Sequence, residues 1–144
     1  MIELRPTTIE DMDFLFDLHK AAMGDYVDQT WGWDDDWQRE HFLNKFKPGM
    51  EQVILLEGET IGVISVERRQ DEVFLGKISI HPRYQKSGIG TQLIQAVLDD
   101  AQDEGLPVGL RVLKVNPARG LYERLGFEIV GESETHFMMK AVPR

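Results

Sequence analysis

The chain opens on a short apolar–polar alternation, Ile2 to Arg5, which predicts a first strand. Thr8 then precedes Ile9, Met12, Phe14, Leu15, Leu18 and Met23, which cluster at helical spacing, and Gly24 offers a stop for that helix. Asp25 to Asp36 reads as a polar and aromatic connection. Asp35 followed three positions later by Gln38 reads as a capping box, opening a second helix that runs to about Phe46 before Lys47-Pro48-Gly49. Strand patterns follow at Val53–Leu56, Ile61–Arg69 and Val73–Ile80, the first two joined at Gly58-Glu59. Their connections are too short for parallel crossovers, so these strands are expected to run antiparallel.

After Pro82 the pattern changes. Gly88 to Glu104 carries Ile89, Leu93, Val97 and Ala101 on one helical stripe and ends at Gly105. Val108–Val115 is a strand pattern. Asn116-Pro117 is a helix start, with Asn as cap and Pro in the first turn, and Gly126 closes that short helix. Strands around Phe127–Val130 and Thr135–Ala141 complete the chain. The expectation is an α/β fold in one domain over residues 1–144, a mixed and mostly antiparallel sheet flanked by about four helices.

Composition narrows the chemistry. There is no cysteine, which removes disulfides, thiolate metal sites and a cysteine nucleophile together. The four histidines show no metal-ligand spacing, so no metal site is expected. The net charge of −9 is unevenly spread: through Glu72 there are seventeen acidic and seven basic residues, and the remainder is almost neutral. An acidic chain of this kind is a poor partner for nucleic acid, whose phosphates need a basic face. No apolar run approaches the ~18 residues of a membrane span, and the N-terminus lacks a signal-peptide pattern. A cytoplasmic protein with no membrane partner is the expectation.

The informative stretch runs from Ile78, Ser79 and Ile80 through His81-Pro82-Arg83-Tyr84 to Gln85, Lys86, Ser87, Gly88, Ile89, Gly90 and Thr91. A strand leads into a loop, and two glycines lead into a helix. A helix N-terminus leaves backbone N–H groups unpaired and carries partial positive charge, and glycines let an anion approach the backbone. The Walker pattern is absent, because no lysine stands between Gly90 and Thr91. The dinucleotide fingerprint is absent too, since it needs three glycines and a parallel context.

Gln-x-x-Gly-x-Gly at 85–90, preceded by Ile-Ser-Ile-His-Pro and followed by Asn116-Pro-Ala-Arg-Gly-Leu-Tyr122-Glu-Arg-Leu-Gly126-Phe127, resembles the GNAT superfamily of acetyl-CoA-dependent N-acetyltransferases. The order of predicted elements matches that family over nearly the whole chain. The resemblance implies that Gln85 to Thr91 cradle the CoA pyrophosphate. It implies that backbone groups of Ile78, Ser79 and Ile80 pair with the pantetheine arm and polarise the acetyl carbonyl. Tyr122 matches the family's general acid, which returns a proton to the departing thiolate. Asn116 matches an asparagine at the thioester end. It stands two residues before Ala118, where the common form has three, so a helix cap is the competing role. The resemblance also makes a homodimer an expectation.

The acceptor is less legible. Many family members carry a general-base glutamate on a central strand, but the matching positions here hold Phe74 and Leu110 or Arg111. Glu67, Glu72, His81 and His136 are candidates by strand location alone. All three tryptophans fall between Tyr26 and Trp37, interleaved with Asp25, Asp28, Asp34, Asp35 and Asp36. Rings and carboxylates together suit a cationic amine, so Trp31 and Asp34 are expected to bind an acceptor such as a polyamine or an amino-acid-like metabolite. The competing reading has the aspartates favouring a helix N-terminus and the tryptophans filling the core. Two other functions stay open: acetylation of a protein N-terminus or lysine, and a non-catalytic CoA-binding module.

Overall fold

The computed structural model describes residues 1–143, and in that stretch the chain forms seven strands and four α-helices. They follow as β1 (Ile2–Pro6), α1 (Met12–Trp31), α2 (Asp35–Lys45), β2 (Gln52–Leu56), β3 (Glu59–Arg68), β4 (Val73–Ile80), α3 (Ile89–Asp103), β5 (Val108–Leu113), α4 (Ala118–Arg124), β6 (Glu128–Glu132) and β7 (His136–Ala141). The strand order is β1-β2-β3-β4-β5-β7-β6, and β4 pairs parallel with β5. No helix among the described residues is long and apolar enough to cross a membrane. The chain divides into two compact units, Met1–Ser65 with Lys77–Gln85, and Val66–Gly76 with Lys86 onward.

In the first unit β1 pairs antiparallel with β2, Leu4 opposite Ile54, and β2 pairs antiparallel with β3. The hairpin turn lies at Glu57 and Gly58, with φ of 50° and 83°, one residue earlier than the sequence pattern suggested. Two successive left-handed residues match the twist of the flanking strands. Leu15 and Leu18 of α1 pack with Val63 of β3, and Phe14, Phe42 and Phe46 close over them.

Two boundaries around the first helices differ from expectation. α1 passes through Gly24 and stops at Gly32, whose φ is 84°. A mid-helix glycine costs about 1 kcal/mol against alanine, and full burial of a valine contributes about 1.5–3 kcal/mol. Burial of Val27 beyond it therefore outweighs the glycine. The long connection expected between the helices shrinks to Gly32, Trp33 and Asp34. The cap of α2 is Asp34 rather than Asp35: its Oδ1 accepts from the Trp37 N–H at 3.1 Å.

β1 is held to the start of the helical layer by an ion pair. Both guanidinium nitrogens of Arg5 donate to Asp11, at 2.9 and 2.8 Å, and Asp11 also accepts from the Thr8 N–H at 2.7 Å. The Arg5 bonds, ahead of the opposing burial, bring the Asp11 carboxyl down to about 2. A carboxyl lowered by folding adds stability above its unfolded value, lost as pH falls towards its folded one. Asp11→Asn is therefore expected to cost about 2 kcal/mol in urea unfolding above about pH 5, with the difference vanishing near pH 2. A difference independent of pH would assign the loss to packing.

In the second unit Val73–Leu75 of β4 runs parallel to Val108–Leu110 of β5. β5 pairs antiparallel with β7 from Val108 opposite Ala141 to Leu113 opposite His136, and β7 pairs antiparallel with β6. Strand β5 stops at Leu113, two residues short of expectation, because the Asn116 N–H turns back to the Leu113 carbonyl at 2.9 Å. Ile89, Leu93, Ile94 and Ala101 give α3 its buried stripe.

Candidate active site

In the first unit, β4 ends as Lys77-Ile78-Ser79-Ile80, with Ser79 buried. Its backbone lies hard against β3: a Cβ built on Gly62 would stand 2.4 Å from the Ser79 carbonyl oxygen. The His81 N–H donates to Ile61 O at 2.8 Å, and Gln85 Nε2 donates to Ile80 O at 2.8 Å. Gln85, expected at the pyrophosphate, spends its side-chain amide on the end of this strand.

The same unit holds a cavity of about 680 Å³ lined by His19, Val27, Trp31, Gly32, Asp34, Trp37, Gln38 and His41. The tryptophans of this segment divide. Trp33 packs on Phe16 and His19, and its Nε1 donates to Asp35 at 3.2 Å. Trp31 and Trp37 are 60% and 57% exposed and line the cavity, and Trp37 stacks on His41 at 4.8 Å. The aspartates are largely structural. Asp28 accepts from the Trp33 N–H at 2.9 Å, and Asp35 pairs with Lys20 at 2.6 Å. Asp34 lines the cavity while also capping α2.

His19 was not singled out from the sequence, where it sits between Leu18 and Lys20 as an ordinary helix residue. It lines this cavity and also a narrow crevice that includes Ser79, Lys77 and Glu51. Burial first, then the Lys77 charge, push its pKa down to about 4, against a Gln38 hydrogen bond that raises it. The ring is neutral at physiological pH, with a lone pair on one nitrogen.

In the second unit the first intrahelical bond of α3 runs from the Gln92 N–H to Gly88 O at 3.0 Å. The N–H groups of Ile89, Gly90 and Thr91 precede it and are left for an anion. Gly88 takes φ 86° with nothing within 4 Å of the Cβ it lacks, and Lys86 takes φ 64°. This fifteen-residue helix end, with Lys86, Ser87 and the open face of Gly88, suits a pyrophosphate. Tyr122 is 9% exposed on α4, edge-on to Phe127 at 5.7 Å, and burial raises its pKa to about 12. It is a neutral phenol over the whole physiological range.

The family model described as Acetyltransferase (GNAT) family matches residues 12–127. The chain belongs to that family. The [ribosomal protein bS18]-alanine N-acetyltransferase of Haemophilus influenzae is 28% identical over 90% of this chain and 84% of its own length. The N-acetylaspartate synthetase of Danio rerio is 30% identical over 58% of this chain, which spans 31% of that protein. The chain thus spans about a third of the vertebrate relatives it matches. In fold it follows the PaiA N-acetyltransferase of Thermoplasma acidophilum, solved with coenzyme A, at TM-score 0.78 and 16% identity over 99% of both chains.

Among the residues that the GNAT resemblance brought forward, Asn116 shows a structural duty: its Oδ1 accepts from the Ala118 N–H at 2.9 Å and caps α4. The base candidates are also engaged. Glu67 and Glu72 pair with Arg69 at 3.2 and 3.0 Å, and Glu72 lies 3.5 Å from Lys140. His81 Nδ1 accepts from the Arg83 N–H at 3.1 Å, and His136 Nδ1 lies 2.8 Å from the Thr135 hydroxyl.

Proposed function

We propose that this protein transfers an acetyl group from acetyl-CoA to a primary amine that arrives as a cation, is seated in the α1–α2 cavity, and attacks the thioester as the neutral amine after giving its proton to solvent. The observation that carries this reading is the cavity itself, walled by Trp31, Trp37 and Asp34 in a chain of the GNAT family. When bound, acetyl-CoA supplies an activated thioester. The backbone N–H groups of Ile89, Gly90 and Thr91, with Lys86 and Ser87, hold its pyrophosphate. The register of β4 with β5 ends at Leu75 and Leu110, and Ile78–Ile80 beyond it offer main-chain groups to an extended arm. Tyr122 supplies the proton that the leaving sulfur needs, and its neutral phenol keeps that proton available.

Thiol release from acetyl-CoA tests this reading against small amines, amino acids and a peptide with an N-terminal alanine. Trp31→Ala is expected to raise the KM for the acceptor about tenfold and to leave that for acetyl-CoA within about twofold. Asp34→Asn removes the charge but keeps an oxygen for the helix cap, so it separates attraction from folding. Equal effects on both substrates would overturn the placement of the acceptor. A protein N-terminus is the second reading, favoured by the Haemophilus relative that aligns over 90% of this chain. Turnover with the alanine peptide alone would select it.

A further inference from the structure

We infer that the acceptor carries a single positive charge on a flat apolar body, its amine directed to His19 and its body lying on the rings of Trp31 and Trp37. This deepens the acetyl-transfer reading and rests on it only for calling the cavity's occupant an acceptor. The charge count comes from the acidic segment itself. Asp28 is committed to the Trp33 N–H and Asp35 to Lys20 and the Trp33 indole. Asp34 is the carboxylate that lines the cavity, and one of its oxygens already caps α2. A polyamine would bring two or more separated charges to one partly engaged carboxylate.

The walls favour a different shape. Trp37 lies flat on His41, with 9° between the planes, and stays more than half exposed, as does Trp31. Val27 adds a buried apolar side chain to the same lining. Such rings gain most from a planar partner that removes them from water, with cation–π attraction to any adjacent ammonium.

The amine end is set by what surrounds His19. Trp33 packs on one side, and Gln38 and His41 of α2 line the same cavity. Lys77 faces it from β4, and Glu51, 3.5 Å from Lys77, offsets that charge. A neutral imidazole carries one N–H and leaves its other nitrogen as an acceptor for an amine N–H.

Binding, measured by calorimetry without acetyl-CoA, tests this apart from turnover. The probes are 2-phenylethylamine, spermidine and aspartate. 2-Phenylethylamine is expected to bind about tenfold more tightly than spermidine, with little change between about 50 and 300 mM salt. Trp37→Ala and His19→Leu should each weaken it about tenfold, with unfolding midpoints measured alongside to show that the variants fold. Spermidine binding more tightly and falling steeply with salt would overturn the inference, as would no heat from 2-phenylethylamine. Binding of 2-phenylethylamine with no acetyl transfer to it or to any amine of the thiol-release panel would uphold this inference and overturn the transfer reading. Transfer to spermidine alone would do the reverse.

Discussion

Tyr122→Phe is expected to lower kcat about a hundredfold or more while acetyl-CoA binding, read by calorimetry, stays unchanged. The substitution removes one oxygen and keeps the ring. The edge-on contact with Phe127 therefore survives, and the folded variant should unfold at nearly the same denaturant concentration. Alkaline stability adds a second readout. A phenol whose folded pKa stands near 12, against about 10 unfolded, contributes stability below pH 10 that is lost as pH rises towards 12. The phenylalanine variant should lack that decline. Unchanged kcat would remove Tyr122 from the chemistry and leave it as a core tyrosine.

Gly62→Ala is expected to destabilise the fold by about 1–3 kcal/mol and to weaken acetyl-CoA binding with it. The new Cβ would meet the Ser79 carbonyl oxygen at 2.4 Å, with Ile80 Cα and Ile54 Cδ1 at 3.2 Å. The nearest atom is backbone and cannot rotate away, so the end of β4 must move. Gly109→Ala is the control. Its Cβ would lie 2.7 Å from Glu72 Oε1, the far end of a flexible side chain that can swing aside, so a smaller loss is expected. Urea unfolding and acetyl-CoA calorimetry on both variants check the contrast. Wild-type behaviour of Gly62→Ala would mean that β3 and β4 can part at Ser79 without consequence.

Much of the fold was legible because each element carries its own local signal. The stripe of Ile89, Leu93 and Ala101 marks α3, and the Asn116-Pro117 pair marks the start of α4. The glycine turn ahead of α3 was legible for the same reason, since glycines ahead of a helix expose N–H groups wherever they occur. The differences fell at element ends. Helix α1 ran past Gly24 to stop at Gly32, and the cap of α2 fell at Asp34, one residue before Asp35.

By itself, then, the sequence determined the order and type of the elements, the glycine turn ahead of α3, the family, and the gathering of tryptophans and aspartates into one segment. The tertiary structure alone decided which of those groups face the cavity. Burial of Val27 carried α1 through Gly24, and that extension put Trp31 at the cavity wall and left three residues to turn the chain. Packing sent Trp33 against Phe16 and left Trp37 on the rim. His19 gained its place only from Trp33, Gln38 and Lys77, groups distant in the chain. Local pattern encodes backbone conformation, whereas a site depends on long-range burial and on which polar groups are already engaged.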